Sequence, residues 1–404
     1  MVELSASFIL ISAIIFIGFL ASMLFERTKI PDILILIVLG LILGPASGVV
    51  NSNSIESFIP FFAALALIII LFSAGLKLNI YTTLSQLRQA GAFTLFAYVL
   101  TAAIISSVAF FLFRWNLFAS VFLGIIVSDT CPTIVNSLLP KLKTDEITKI
   151  SVNLEAVISG AVSTVLALLL LQFHALGNIG ISEAFSSLAF AFSIALVIGI
   201  AGGIAWLVAL RSLRGKPYTY LLTIASLFFL YGIVETLGGN GAISTLIFGM
   251  VLGNFKDVTS VFRMKGSFEP DKFIYQFQDE VSFFVRTFFF VYIGLVFRLA
   301  SSLEVFLLAL ACLVSILIAR EISIKAFKLD KHPTRLLQEF IIPTGLSAVV
   351  LSLLPANQGI NILGLTEVIL LIVIFTNIVT GAAVYFHKEG ITRFAPRILR
   401  INKK

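Results

Sequence analysis

Apolar runs follow one another from end to end of this chain, and polar residues gather in the short breaks between them. Thirteen runs read as membrane-crossing helices: 6–25, 31–45, 58–76, 90–113, 117–140, 148–173, 183–210, 218–236, 241–254, 272–299, 302–326, 335–354 and 361–386. Crossing a hydrocarbon core takes about 20 helical residues. Runs 31–45 and 241–254 fall short of that and are glycine-rich, which predicts tilted, thin-membrane or partly re-entrant segments. The pattern predicts an all-α polytopic membrane protein, with one transmembrane domain over 1–390 and a basic tail over 391–404.

Two runs are interrupted near their middles, by Pro132 and by Pro343. Proline removes a backbone donor and clashes with the preceding turn, so both helices should unwind there. Freed backbone groups are tolerated in a membrane only where protein or a watery cavity receives them. Around Pro132 stand Ser128, Asp129, Thr130, Cys131 and Thr133, and the next run carries Ser151, Glu155, Ser159 and Ser163 at intervals of four, along one helix face. A carboxylate at membrane depth costs about 3 kcal/mol or more, so each one signals an ion path or a buried pair.

Composition agrees. Of 404 residues, 59% are hydrophobic and 12% charged, with a mean hydropathy of +1.08. The two cysteines, Cys131 and Cys312, both lie in apolar runs and imply no disulfide framework. Run 6–25 lacks a basic leader and a small-residue cleavage site, and is expected to be retained as a helix. The net charge of +7 could point to nucleic acid, but its placement does not. With the N-terminus outside, 24 of the 28 Lys and Arg fall on inner segments, Arg114 and Arg298 outside, and Arg286 and Arg320 within runs. That asymmetry predicts a cytoplasmic C-terminus in the plasma membrane. The tail alternates basic and apolar residues, which suits either the anionic inner leaflet or a solvated end.

Asp129 is the right hard oxygen donor for Na⁺ or K⁺, with Thr130, Thr133 and backbone carbonyls able to complete a shell. It could equally cap the half-helix after Pro132 or form a salt bridge. Ser159, Ser163, Thr164 and Asn153 offer neutral oxygens, although hydroxyls within helices usually bond back to the preceding turn. Cys131 is too soft for an alkali ion and suits a small core position. Asn240 reads as a turn, and Arg286 with Asp279 and Glu280 as a salt-bridge network.

The ordered set Pro31, Gly40, Gly44-Pro45, Phe72-Ser73-Ala74-Gly75-Leu76, the break at Pro132, Gly249, Gly253-Asn254, Phe283-Phe284-Val285-Arg286, Gly294, Ala319-Arg320 and Pro343-Thr344-Gly345 resembles the NhaP-type monovalent cation:proton antiporters over essentially the whole chain. The resemblance implies two inverted repeats with crossed, unwound helices 5 and 12. It implies a dimerising scaffold over about 1–76 and 183–299, and a core over about 90–173 and 302–386. It also implies a homodimer and an ion pair between Glu155 and Arg320. Paired prolines in the middle of each triplet support a midplane site independently.

The family's Thr-Asp-Pro corresponds here to Thr130-Cys131-Pro132, its Asn-Asp to Ser159-Gly160, and its Pro-Arg-Gly to Pro343-Thr344-Gly345. Both signature acids and the arginine are replaced. The reading is therefore a secondary-active Na⁺, K⁺ or Li⁺ to proton antiporter in which Asp129, Thr130, Cys131, Thr133, Glu155 and Ser159 form the ion and proton site. The alternative is the same fold serving as an uncoupled ion pathway or a non-transporting sensor. No cofactor or resident metal is expected. An intramembrane protease is excluded, because His174, His332 and His387 sit at run ends or in loops and no HExxH occurs.

Overall fold

A computed structural model describes residues 12–24, 32–46, 59–78, 90–139, 146–175, 181–213, 216, 218–261, 272–296, 302–328 and 335–388. The tail 391–404 and the basic connector 140–145 lie outside them, as does the side chain of Thr133. The described chain is helical throughout. Its helices are α1 (Ser12–Leu24), α2 (Asp32–Leu41, continued by a π-turn, Ile42–Ala46), α3 (Ile59–Lys77), α4 (Ala90–Phe111), α5 (Leu117–Val127), α6 (Pro132–Leu138), α7 (Glu146–Ala175) and α8 (Ile181–Ser212). They continue with α9 (Thr219–Thr236), α10 (Gly241–Gly253), α11 (Phe255–Val261), α12 (Lys272–Val296), α13 (Leu303–Ala326), α14 (Arg335–Phe340), α15 (Leu346–Asn357) and α16 (Leu365–Lys388).

Each of the thirteen predicted runs has its helix, and the runs holding Pro132 and Pro343 each contain two. Starts are set locally: Asn116, Asn240 and Ser302 accept the amides of Ala119, Ile243 and Val305 at 2.7, 3.0 and 3.3 Å. Asn240, read from the sequence as a turn, is thus the N-cap of α10.

Two groups of helices pack separately. In the first, α3, α8 and α9 surround α10, and α12 lies along α2. Gly75 and Gly249 bring α3 and α10 so close that a Cβ on either would strike the other helix's backbone. Eleven of the thirteen residues of α10 are buried, so this short run is sheathed by protein. In the second group, α4 packs on α5, α7 and α13, and α13 on α16. The groups meet where α3 touches α7 and α15. Beside that contact, α7, α8 and α10 border an apolar groove of 1520 Å³.

Asp279 of α12 pairs with Lys77 of α3 at 3.1 Å, a salt bridge within the first group, and the Arg286 guanidinium lies over the Phe283 ring at 5.8 Å.

Candidate functional site

The two unwound segments meet. Ser128 ends α5 by donating its amide to Gly124, and Pro132 opens α6 at a position where its missing N–H costs nothing. In the partner break, Ile341–Gly345 separates α14 from α15. The Cys131 amide donates to the Pro343 carbonyl at 2.6 Å, which fixes the crossing. A Cβ on Gly345 would collide with the Cys131 sulfur, so glycine is what lets the segments approach. Cys131 itself is buried, 5% exposed, at the point where the two segments cross.

The freed backbone groups find side chains. The Thr130 amide donates to Ser159 Oγ at 3.1 Å. In the second break, the Ile342 and Thr344 amides donate to the hydroxyls of Thr380 and Thr376, each at 3.2 Å. Asn377 Nδ2 donates to the Thr344 carbonyl at 2.9 Å. Tyr98 and Ser163 hydroxyls both donate to the Ile125 carbonyl, at 3.1 and 2.9 Å.

Asp129 is 3% exposed and sits at this crossing. Its Oδ2 accepts from the hydroxyl of Ser347, in the first turn of α15, while Oδ1 has no hydrogen-bond partner among the described residues. The carboxylate therefore lies near the positive end of α15, where helix dipoles favour negative charge. It does not cap α6, whose N-cap is Cys131 without a side-chain cap bond, and it forms no salt bridge among the described residues. A Cβ added to Gly160 would stand 3.2 Å from Asp129 Oδ1, so this oxygen lies where a side chain at position 160 would begin.

Glu155 Oε1 and Arg320 Nη2 form a buried ion pair between α7 and α13, as the sequence reading expected. Arg320 had a second possible partner in Glu321, but Glu321 pairs with Lys325 at 2.8 Å.

Two clefts flank the crossing. One, of 360 Å³ within the second helix group, is lined by Tyr98, Ser128, Asp129, Thr130, Arg320 and Thr344 among others. The other, of 740 Å³ between the two groups, includes Lys77, Cys131, Gly160, Arg286 and Ser347. Asp129, Thr130, Glu155 and Ser159 thus come together, with Cys131 behind them. Sequence reading missed Ser347, Thr376, Thr380 and Asn377. Small hydroxyls in an apolar helix carry little signal, although their concentration in runs 335–354 and 361–386 beside Pro343 was visible.

Comparison with known proteins gives the fold and the family. The solved structure of the sodium proton antiporter MjNhaP1 from Methanocaldococcus jannaschii superposes with a TM-score of 0.74 at 19% identity, covering 96% of this chain and 97% of that one. The probable Na(+)/H(+) antiporter 2 of the same organism is 25% identical over 321 residues, 76% of this chain and 73% of that protein. The K(+)/H(+) antiporter NhaP2 of Shewanella sp. (strain ANA-3) is 27% identical over 255 residues, 61% of this chain but only 44% of that longer protein. Residues 11–387 match the family model described as sodium/hydrogen exchanger, transmembrane, and the chain belongs to that family.

Proposed function

We propose that this member of the sodium/hydrogen exchanger family is a secondary-active antiporter, exchanging Na⁺, K⁺ or Li⁺ for H⁺ through Asp129. The observation that carries the reading is the buried Asp129 at the crossing, bound by Ser347 on one oxygen and unpartnered on the other. One carboxylate suffices for exchange. Deprotonated it attracts a cation; protonated it is neutral and can cross without one. Carriage in turn, never together, is what couples the two fluxes.

The family's acids are replaced here by Cys131 and Gly160, and the proximity of Asp129 Oδ1 to Gly160 supports a carboxylate moved to new backbone but kept near the same space. Thr130 and Ser159 would supply further oxygens, and Thr133 remains a candidate on sequence grounds. Glu155 and Arg320 neutralise each other and brace α7 against α13. Transport would proceed by the second helix group, the core of two inverted repeats, rocking against the first. The protein would sit in the plasma membrane as a homodimer, N-terminus outside and C-terminus cytoplasmic.

The test is proton flux in proteoliposomes read by a pH-sensitive dye, with Na⁺, K⁺ or Li⁺ added over a range of pH. Wild type is run beside Asp129→Asn and Glu155→Gln. Cation-triggered proton release that Asp129→Asn abolishes supports exchange through this carboxylate. A folded wild type that answers no cation overturns it. Replacement of both family acids would then favour the second reading, an uncoupled pathway or a non-transporting sensor, and passive ion permeation would be measured next.

A further inference from the structure

We propose that Thr344, on the second unwound segment, is a direct oxygen ligand of the transported cation and sets which alkali ion the site prefers. This rests on Asp129 being the cation-binding carboxylate.

The first observation is an unpaired hydroxyl in a tightly held residue. Thr344 is 1% exposed, its amide donates to Thr376 and its carbonyl accepts from Asn377, yet its Oγ1 has no partner among the described residues. Burying a hydroxyl without a partner is unfavourable, and most buried polar groups avoid it. Here the backbone amide and carbonyl are both held while the side-chain oxygen has no partner among the described residues.

The second observation is what shares that cleft. Thr344 and Asp129 line the same 360 Å³ space, and the hydrogen bond from Cys131 to Pro343 ties together the residues beside them. Asp129 and Thr344, each with a buried side-chain oxygen that has no partner among the described residues, thus line one polar cleft from the two unwound segments.

Charge decides what the cleft takes. Asp129, Glu155 and Arg320 line it, and the Arg320 charge is already offset by Glu155, leaving one negative charge when Asp129 is ionised. An anion is disfavoured and a single monovalent cation is neutralised. Alkali ions are hard and take oxygen ligands, and the number and spacing of those ligands set selectivity. A hydroxyl on the second segment adds one such ligand at a distance fixed by Thr376 and Asn377, independently of the segment that carries Asp129.

The experiment uses the full-length protein in detergent. The unfolding midpoint is titrated with NaCl, KCl and LiCl against choline chloride, and proteoliposome exchange is measured in parallel. The variants are Thr344→Val, which keeps the shape and removes the hydroxyl, Thr344→Ser, which keeps a hydroxyl, and Asp129→Asn.

Wild type is expected to be stabilised by at least one cation, and Asp129→Asn by none. In choline, Thr344→Val should melt at or above the wild-type midpoint, because an unpaired buried hydroxyl has been removed. It should need about tenfold more cation for half-maximal stabilisation and for exchange, the loss expected for one neutral oxygen contact. The ranking of the three cations should change, and Thr344→Ser should restore wild-type behaviour.

Wild-type half-saturation and ranking in Thr344→Val overturn the proposal, and so does a lower midpoint in choline, which would give the hydroxyl a structural partner. An Asp129→Asn protein that responds to cations like wild type, or a wild type that responds to none, instead sinks the reading of Asp129 and the proposal with it.

Discussion

The two unwound segments solve the same problem with opposite means. Ser128–Cys131 carries the carboxylate, and its backbone bonds reach Ser159 of α7 and Pro343 of the other break. Ile341–Gly345 carries no charge, yet three side chains of α16, Thr376, Asn377 and Thr380, bind its backbone. One segment presents the charge, and the other is a fixed rail, carrying Thr344, against which that charge is positioned. A titrating group changes its partners as it changes charge, whereas a rail serves by staying still.

That contrast can be broken at the chemical side first. Asp129→Asn is isosteric and should abolish cation-driven proton movement in proteoliposomes, a loss of at least about a hundredfold, since neutralising the one membrane-depth carrier of charge removes the site itself. Its unfolding midpoint should stay near wild type. A large activity loss from Thr376→Val with Asp129→Asn still active would reverse the roles assigned to the two segments.

Next comes the strut behind both. Glu155→Gln leaves the Arg320 guanidinium buried and uncompensated, which should destabilise by about 3–5 kcal/mol in denaturation in detergent. The double variant Glu155→Gln/Arg320→Gln should recover most of that. If the double variant falls as far as the single, the pair's shape rather than its charge braces the core.

The rail is tested by Thr376→Val, which orphans the Thr344 amide and should cost about 1–3 kcal/mol. Gly345→Ala, forced against Cys131, should cost about 1–3 kcal/mol as an overpacked core does. Cys131→Ala added to it should return much of the loss. The smallest effect is expected at Gly160→Ala, whose methyl would sit 3.2 Å from Asp129 Oδ1. Stability should change by less than about 1 kcal/mol, while the cation concentration for half-maximal exchange shifts.

Much of this was legible in the sequence because it follows from local chemistry. Pro132 and Pro343 dictated both breaks, and hydropathy dictated the runs that those breaks divide into α5 and α6 and into α14 and α15. Glu155 and Arg320 were paired by resemblance and by the cost of leaving either alone in a membrane. What escaped was long-range. Ser347 stands 218 residues from Asp129, and nothing in its surroundings distinguishes it from a serine bonded to its own helix. Thr376 and Thr380 are disguised in the same way. Lys77 of α3 meets Asp279 of α12 through helix packing, which spacing along either helix does not show.

The sheathing of α10 has a consequence for the surrounding bilayer. Its 13 residues span only about 20 Å at the helical rise, well short of a hydrocarbon core of about 30 Å. Facing lipid, it would thin the membrane or drag its ends inward. Packed against α3, α8 and α9, with eleven of its residues buried, it is largely relieved of hydrophobic matching. The 32-residue α8 outside it bears that demand instead. Membrane thickness should therefore act on the tilt of α8 and leave the close α3–α10 contact unchanged.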